Sequence, residues 1–411
     1  MVITGLAVTA LGEGADLLWR AVLEKRSGIG VLDFGSGWRP LGAVLKNFEA
    51  EKYVTQKKSL KVMARDIQLA VGAASLAIRD SQVDAASTDR ERFGVTVGCG
   101  VLNHELDELA PSLQNSVAAG GKVDLKKFGE DGIASLFPLW LLKYLPNMPA
   151  CHISILFDLQ GPNNTITTGA SSGLQAVGEA FRIIQRGSAD LMLAGGAESK
   201  VNPVGLTQYE ILGVLAPSNG ADPSTVYRPL DSEAKGLVAG EGSGFLLLEE
   251  WEHAKKRKAK IYAEITGFGS SSAAGRKTAM QTALGDAGIS PKVLSYVQAS
   301  GLGVEKEDLL EAEALEALLN GAGRELPVSV SKAVTGFAGF SSGTLDLILS
   351  SLAIKHQTLP PALNFKKPKR PWKFRVVQEK PVKSRIENVM TNAFGLNSPS
   401  VSVITKSTEE R

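Results

Sequence analysis

The chain has 411 residues, more than one ordinary core requires and enough for two packed halves or one large α/β unit. Apolar residues make up 44% and charged residues 21%, a globular composition that excludes a fibre or a disordered tail. With 45 Lys and Arg against 43 Asp and Glu, the net charge of +2 argues against a nucleic-acid groove or a membrane-surface protein.

The opening Met1-Val-Ile-Thr-Gly carries no basic stretch, so no signal peptide is expected there. No apolar run approaches the roughly 20 residues of a spanning helix. Two cysteines, Cys99 and Cys151, are too few for a disulfide framework and suit a reducing compartment, so the expected location is cytoplasmic.

In chain order, β-branched runs predict strands at Val2–Thr4, Phe93–Val97, Leu191–Ala194, Gly244–Leu248, Ile261–Ile265, Val328–Val330 and Val401–Ile404. Between them, Asp66–Arg79, Gly173–Arg186 and Leu309–Leu319 have helical periodicity. Alternation of the two types indicates layered α/β packing. Val2-Ile-Thr-Gly-Leu-Ala is echoed by Glu264-Ile-Thr-Gly-Phe-Gly, which predicts two similar halves, residues 1–250 and 251–411.

The most informative stretch is Gly161-Pro-Asn-Asn-Thr-Ile-Thr-Thr-Gly-Ala-Ser-Ser-Gly-Leu-Gln-Ala-Val-Gly-Glu-Ala. Thr165–Thr168 predicts a strand and Gly169–Gly173 a tight turn, after which Leu174, Val177, Phe181 and Ile184 recur at helical spacing. Strand, sharp turn and helix is how enzymes expose a nucleophile, with the helix N-terminus stabilising a developing anion. Gly169-Ala-Ser-Ser-Gly173 also satisfies GxSxG, so one reading is a stand-alone serine acyl-hydrolase or acyltransferase using Ser171, a later acid and His356. Cys151-His152 would sit on opposite faces of an extended strand, which argues against a thiol–imidazole pair. No His/Cys cluster has metal-ligand spacing, and no phosphate-binding or dinucleotide glycine pattern occurs, so no metal or cofactor is expected.

The same stretch resembles the nucleophile segment of the β-ketoacyl synthases, GPxxxxxTACASGLQAIGEA. The likeness continues through Asp190-Leu-Met-Leu-Ala-Gly-Gly-Ala-Glu, Tyr227-Arg-Pro-Leu-Asp, Gly240-Glu-Gly-Ser-Gly, Glu252-His-Ala-Lys-Lys-Arg and Asn392-Ala-Phe-Gly. It implies an α/β thiolase fold, a five-layer αβαβα sandwich from two similar halves, dimeric across the strand before the nucleophile turn. It also implies where the chemistry is missing. The nucleophilic cysteine position falls on Ala170, and a methyl group forms no thioester. The first histidine, in a stretch like EAHGTGTPLGDPIEAEAL, falls on Ser300. The second, in one like KSMTGHLLGAAG, falls on Phe337. Lys332, Glu311, Glu313 and the backbone amides of Ala170 and Leu396 are the scaffolding the resemblance retains. The family's GFGG has become Gly395-Leu-Asn-Ser398, and its RDGF reads Ala234-Lys-Gly-Leu.

Loss of all three catalytic members makes the chain similar to the chain length factors of type II polyketide synthases. The resemblance then implies a chain that is not catalytic alone. Its heterodimer partner would be a ketosynthase carrying Cys-His-His and fed by an acyl carrier protein, the bearer of phosphopantetheine. The chain length factor would wall off the partner's tunnel with Val101, Leu106, Leu109 and Trp140, the last an indole that excludes chain carbons. A catalytically dead homodimeric scaffold for the carrier protein is the remaining alternative. Acidic carrier proteins suit a basic dock, and two basic runs occur: Lys255-Lys-Arg-Lys with Lys260, and Lys366-Lys-Pro-Lys-Arg-Pro-Trp-Lys with Arg375. The first reads as solvated loop charge and the second as the candidate dock.

Overall fold

The protein is described from a computed structural model, which covers residues 1–8, 11–35, 37–85, 88–101, 104–218, 220–272, 274–320 and 325–408. Eleven strands carry the fold. These are β1 (Val2–Val8), β2 (Phe93–Gly98), β3 (Asn163–Ile166), β4 (Leu191–Ser199), β5 (Ala239–Glu249), β6 (Ala263–Ser271), β7 (Tyr296–Gln298), β8 (Leu326–Ser329), β9 (Phe374–Val376), β10 (Asn388–Ala393) and β11 (Ser400–Lys406). They lie in the order β9-β8-β7-β10-β11-β6-β1-β5-β4-β2-β3. Numbering the strands of each half from one to five in chain order, with β9 outside the count, gives the same winding, 1-5-4-2-3, twice. In both halves the second strand runs parallel to its neighbours and the fifth antiparallel. The two echoed segments are the first strands of the two windings. They meet side by side, Val2 opposite Glu264 and Ile3 opposite Ala263.

The layering follows from where side chains alternate. All nine residues of β4 and all eleven of β5 are buried, as strands covered on both faces must be. Leu246 and Leu248 point into a central core, while Phe245 and Leu247 join an outer core under the helices Arg65–Ser81 and Met148–Phe157. The central core is filled by the helices Ser172–Gln185 and Ser342–His356. Every residue from Ser342 to Ile354 is buried, so that part of the helix has no solvent-exposed face, consistent with its place between two sheets. On the far side, Met280, Leu284, Ala312 and Leu315 from the helices Arg276–Asp286 and Glu305–Leu318 cover Val297, Val328 and Met390. The result is α, β, α, β, α in section.

Several boundaries differ from expectation. The strand expected at Thr165–Thr168 lies at Asn163–Ile166, because Cys99 N–H reaches the Ile166 carbonyl at 3.0 Å and Thr168 N–H already turns to Ser172 Oγ at 2.9 Å. Cys151 and His152 sit on the helix Met148–Phe157, not on a strand. Pro149 in its first turn favours a helix start, its fixed φ suiting that position. Among the described residues, no helix is long and apolar enough to cross a membrane.

Candidate functional site: a nucleophile turn without its nucleophile

β3 leads into a single 3-10 turn, Gly169–Ser171, and then into the helix Ser172–Gln185. Gly169 takes φ +75°, a left-handed conformation that lets the chain reverse within one residue. Ser172 Oγ closes the turn by donating to the Gly169 carbonyl at 2.5 Å. At Gly173 a Cβ would stand 2.4 Å from the Phe340 carbonyl oxygen, so only glycine allows the helix to approach the turn Gly339–Ser341. The strand-turn-helix presentation is therefore intact, and at its tip stands the Ala170 methyl. It packs, half-buried, against an apolar cluster that includes Phe337, Tyr209, Tyr227 and Leu302.

Ser171 does not take over. Its hydroxyl is buried and donates to the Thr168 carbonyl at 3.4 Å. His356, the partner a hydrolase reading needs, ends the 15-residue helix that begins beside this turn, about 20 Å away. There it stacks on Trp19 with ring centroids 5.5 Å apart.

Ser300 and Phe337 converge on the same place from the second half. Ser300 Oγ donates to the Phe394 carbonyl at 2.8 Å and accepts the Phe394 N–H at 3.1 Å, so both hydrogen-bonding capacities are used on backbone. The next residue, Gly395, abuts Ala170; a Cβ there would lie 2.5 Å from the Ala170 methyl. Phe337 is buried, its ring edge-on to Tyr209 at 6.1 Å, and its backbone bonds to Val238 and Gly240. An apolar ring fills the space and offers no donor.

The supporting frame is well made. Glu311 accepts the N–H groups of Ser300 and Gly301 at 2.9 and 2.8 Å. Asp308 accepts those of Leu302 and Gly303, and burial pushes it up to about 7. Lys332 donates to the Ser300 carbonyl and pairs with Asp346. Glu198 accepts the Phe340 N–H at 2.7 Å and pairs with Lys200 at 3.2 Å. Glu313, expected in this frame, is instead on the exposed face of its helix, two residues past inward-facing Glu311 and so turned by about 200°. Two members were not among the expected site residues. Asp346 lies 14 residues beyond Lys332 on another element. Ser398 stands against Gly169 with a buried Oγ that has no partner among the described residues. The only hint of Ser398 was the altered Gly395–Ser398 stretch.

The four expected gate residues lie in the segment between β2 and β3. Val101 is 75% exposed and Leu106 45% exposed. Leu109 is half-buried one turn along the helix Leu106–Asn115, on the same side as Leu106. Trp140 opens a short 3-10 turn, Trp140–Tyr144, and packs half-buried against the outer core. With them Phe137, Leu141 and Ile155 are exposed, and β3 is the last strand of the sheet. Two members of the second basic run are paired from within: Lys369 with Glu305, and Arg370 with Glu316 at 2.7 Å. In the first run, Arg257 is bound to buried Glu249 at 2.7 Å. No cluster of potential metal ligands occurs among the described residues.

The model of the β-ketoacyl synthase N-terminal domain matches residues 1–254, and that of the C-terminal domain residues 262–366. A 3-oxoacyl-[acyl-carrier-protein] synthase 2 of Coxiella burnetii is 32% identical, over 96% of this chain and 95% of its own. The enzyme of the same name from Vibrio cholerae is 31% identical, over 99% and 98%. Among solved structures, a β-ketoacyl synthase from Burkholderia phymatum superposes with a TM-score of 0.87 at 27% identity, covering 99% of both chains. The ishigamide ketosynthase/chain length factor superposes at 0.85 with 24% identity, over 99% and 98%, a likeness of fold. Two domain models in tandem, full-length relatives and the thiolase-like α/β architecture agree: the chain is a member of the β-ketoacyl synthase family.

Proposed function

We propose that this chain is the non-catalytic, chain-length-limiting subunit of a two-chain β-ketoacyl synthase. In this reading its partner is a Cys-His-His ketosynthase that extends chains held on an acyl carrier protein. The observation that carries the reading is the state of the site: the fold and its frame are kept, while Ala170, Ser300 and Phe337, which the resemblance matches to the family's cysteine and two histidines, offer no thiol and no free donor.

Condensation requires a thiolate to hold the growing chain and hydrogen-bond donors at the enolate oxygen formed as a malonyl thioester loses carbon dioxide. The enolate carbon then bonds to the acyl carbon and the thiolate leaves. Here no side chain can form the thioester. Ser300 is committed to Phe394, and Phe337 donates nothing. The partner must therefore perform every covalent step. What this chain contributes is a surface: the outer strand β3 and the exposed Val101, Leu106, Phe137 and Leu141 of the segment that leads into it. An apolar set of this kind at a sheet edge suits a protein partner rather than water. On that surface Val101, Leu106, Leu109 and Trp140 form the end wall of the partner's tunnel.

The test is co-expression with the ketosynthase encoded beside it, followed by size-exclusion chromatography and native mass spectrometry. A one-to-one complex that elongates malonyl units, with this chain inert alone, is the expected result. Trp140→Ala in that complex lengthens the products. A stable homodimer with its own acyl-transfer or hydrolytic activity would overturn the proposal.

A further inference from the structure

The Trp140 indole is held by unusually few constraints for a residue that must stop a growing chain. Its Nε1 is buried and has no hydrogen-bond partner among the described residues, so no polar contact fixes the ring. One side of it borders a cavity of about 570 Å³, lined also by Leu60, Met63, Pro111 and Phe137. A side chain with open space on one side yields to pressure unless it is braced on another.

Two rings that do not line the cavity supply the brace. His104 lies with its ring centroid 4.6 Å from that of Trp140, tilted by 35°, and Tyr144 lies 5.2 Å away at 54°. His104 and Tyr144 also meet edge to face at 4.4 Å, so the three rings form a closed triangle. Tyr144 is anchored independently: its hydroxyl donates to Glu108 at 2.6 Å, and Lys143 pairs with the same carboxylate. His104 has no such anchor among the described residues. Its Nδ1 is buried and unpartnered among the described residues, and burial lowers its affinity for a proton. It meets its neighbours through its ring, and it is the ring nearer the indole.

We propose that His104 is the positioning residue for the Trp140 indole and that, through it, His104 sets the length of the chain the pair produces. The inference rests on the end-wall reading of Trp140 given above. Tyr144, fixed to Glu108, is the post; His104 is the wedge that fills the space beside the indole into which the ring would otherwise fall back.

The experiment uses the co-expressed complex with carrier protein and malonyl extender, and reads the product-length distribution by mass spectrometry. His104→Ala is expected to shift the distribution to longer chains by at least one extender unit and to broaden it. His104→Phe, which restores a flat ring, is expected to return it to that of the unsubstituted pair. His104→Leu, which fills the volume without a ring face, serves if the alanine variant does not assemble, and is expected to resemble alanine. The double variant His104→Ala, Trp140→Ala is expected to match Trp140→Ala alone, because a wedge has nothing to hold once the indole is gone. If Trp140→Ala lengthens products while the His104 variants leave them unchanged, the positioning role fails and the end wall stands. Additive shifts in the double variant also defeat the positioning role. If Trp140→Ala itself changes nothing, the end-wall reading fails, and this inference with it.

Discussion

Lys332 Nζ lies 2.8 Å from Asp346 Oδ2, with the lysine side chain 2% and the aspartate side chain 1% exposed. The same amine donates to the carbonyl of Ser300, and Asp346 also accepts from Gln298 at 2.9 Å and from Ser331 at 2.5 Å. This buried, hydrogen-bonded pair ties Ser300 and the segment leading to Phe337 to one frame. Lys332 fixes the loop carrying Ser300 and begins the helix Lys332–Thr335 that leads into Phe337.

Breaking that pair from one side leaves a buried charge uncompensated. Lys332→Met is expected to cost about 3–5 kcal/mol of stability, as one-sided removal of a buried ion pair generally does. Joint replacement, Lys332→Met with Asp346→Leu, is expected to recover part of the loss. Urea unfolding followed by circular dichroism measures both, and a neutral Lys332→Met would refute the structural role.

Restoring the nucleophile alone is expected to restore nothing. Ala170→Cys places a thiol at the turn, but Ser300 remains bonded to Phe394 and Phe337 still offers no donor. Product formation by the complex should be unchanged, and mass spectrometry should find no acyl group on this chain. An Ala170→Cys variant that is acylated and turns over would show that the site is less dismantled than its geometry indicates.

Phe337 has become part of the core. Phe337→Ala removes a ring 4% exposed and edge-on to Tyr209, with an expected loss of about 3–5 kcal/mol. Phe337→His places a polar ring in the same apolar cluster and is expected to destabilise as well, rather than rebuild function. Thermal melts of the three proteins side by side check the order.

Gly173→Ala is expected to prevent correct folding or reduce soluble yield sharply, since its Cβ would meet the Phe340 carbonyl oxygen at 2.4 Å and backbone has little room to yield. Soluble expression with a circular dichroism spectrum like that of the unsubstituted protein would contradict the packing of the two turns.

Asp66 gives a pH signature. Burial, reinforced by the Glu198 carboxylate, pushes it up to about 7, well above an unfolded aspartate near 4. Between about pH 4 and 7 the folded chain therefore binds more protons at this site than the unfolded chain. Its contribution to stability is full below that window, falls as pH rises through it, and levels off above, with a slope approaching about 1.4 kcal/mol per pH unit. Asp66→Asn keeps an acceptor for the Ser199 N–H and should flatten that part of the stability profile. Denaturant midpoints at pH 5, 6, 7 and 8, values chosen about the cited window, give the comparison.

Much of this molecule was legible one residue at a time. The runs Leu191–Ala194 of β4 and Phe245–Leu248 of β5 are apolar because both faces are covered, and the echoed Ile-Thr-Gly segments are the first strands of two equal windings. The chemistry that Ala170 and Phe337 cannot supply is legible for a different reason: a thioester needs a thiol and an enolate needs a donor, and neither side chain has one. Tertiary structure decided the rest, because it depends on groups far apart in the chain. It placed Asp346 on Lys332 and buried the Ser171 hydroxyl against backbone. It left His356 at the wrong end of a helix, and put Cys151 and His152 on a helix rather than on an extended strand. It also enclosed the Trp140 indole between His104 and Tyr144, 36 and 4 residues away, a triangle of ring contacts that no periodicity encodes.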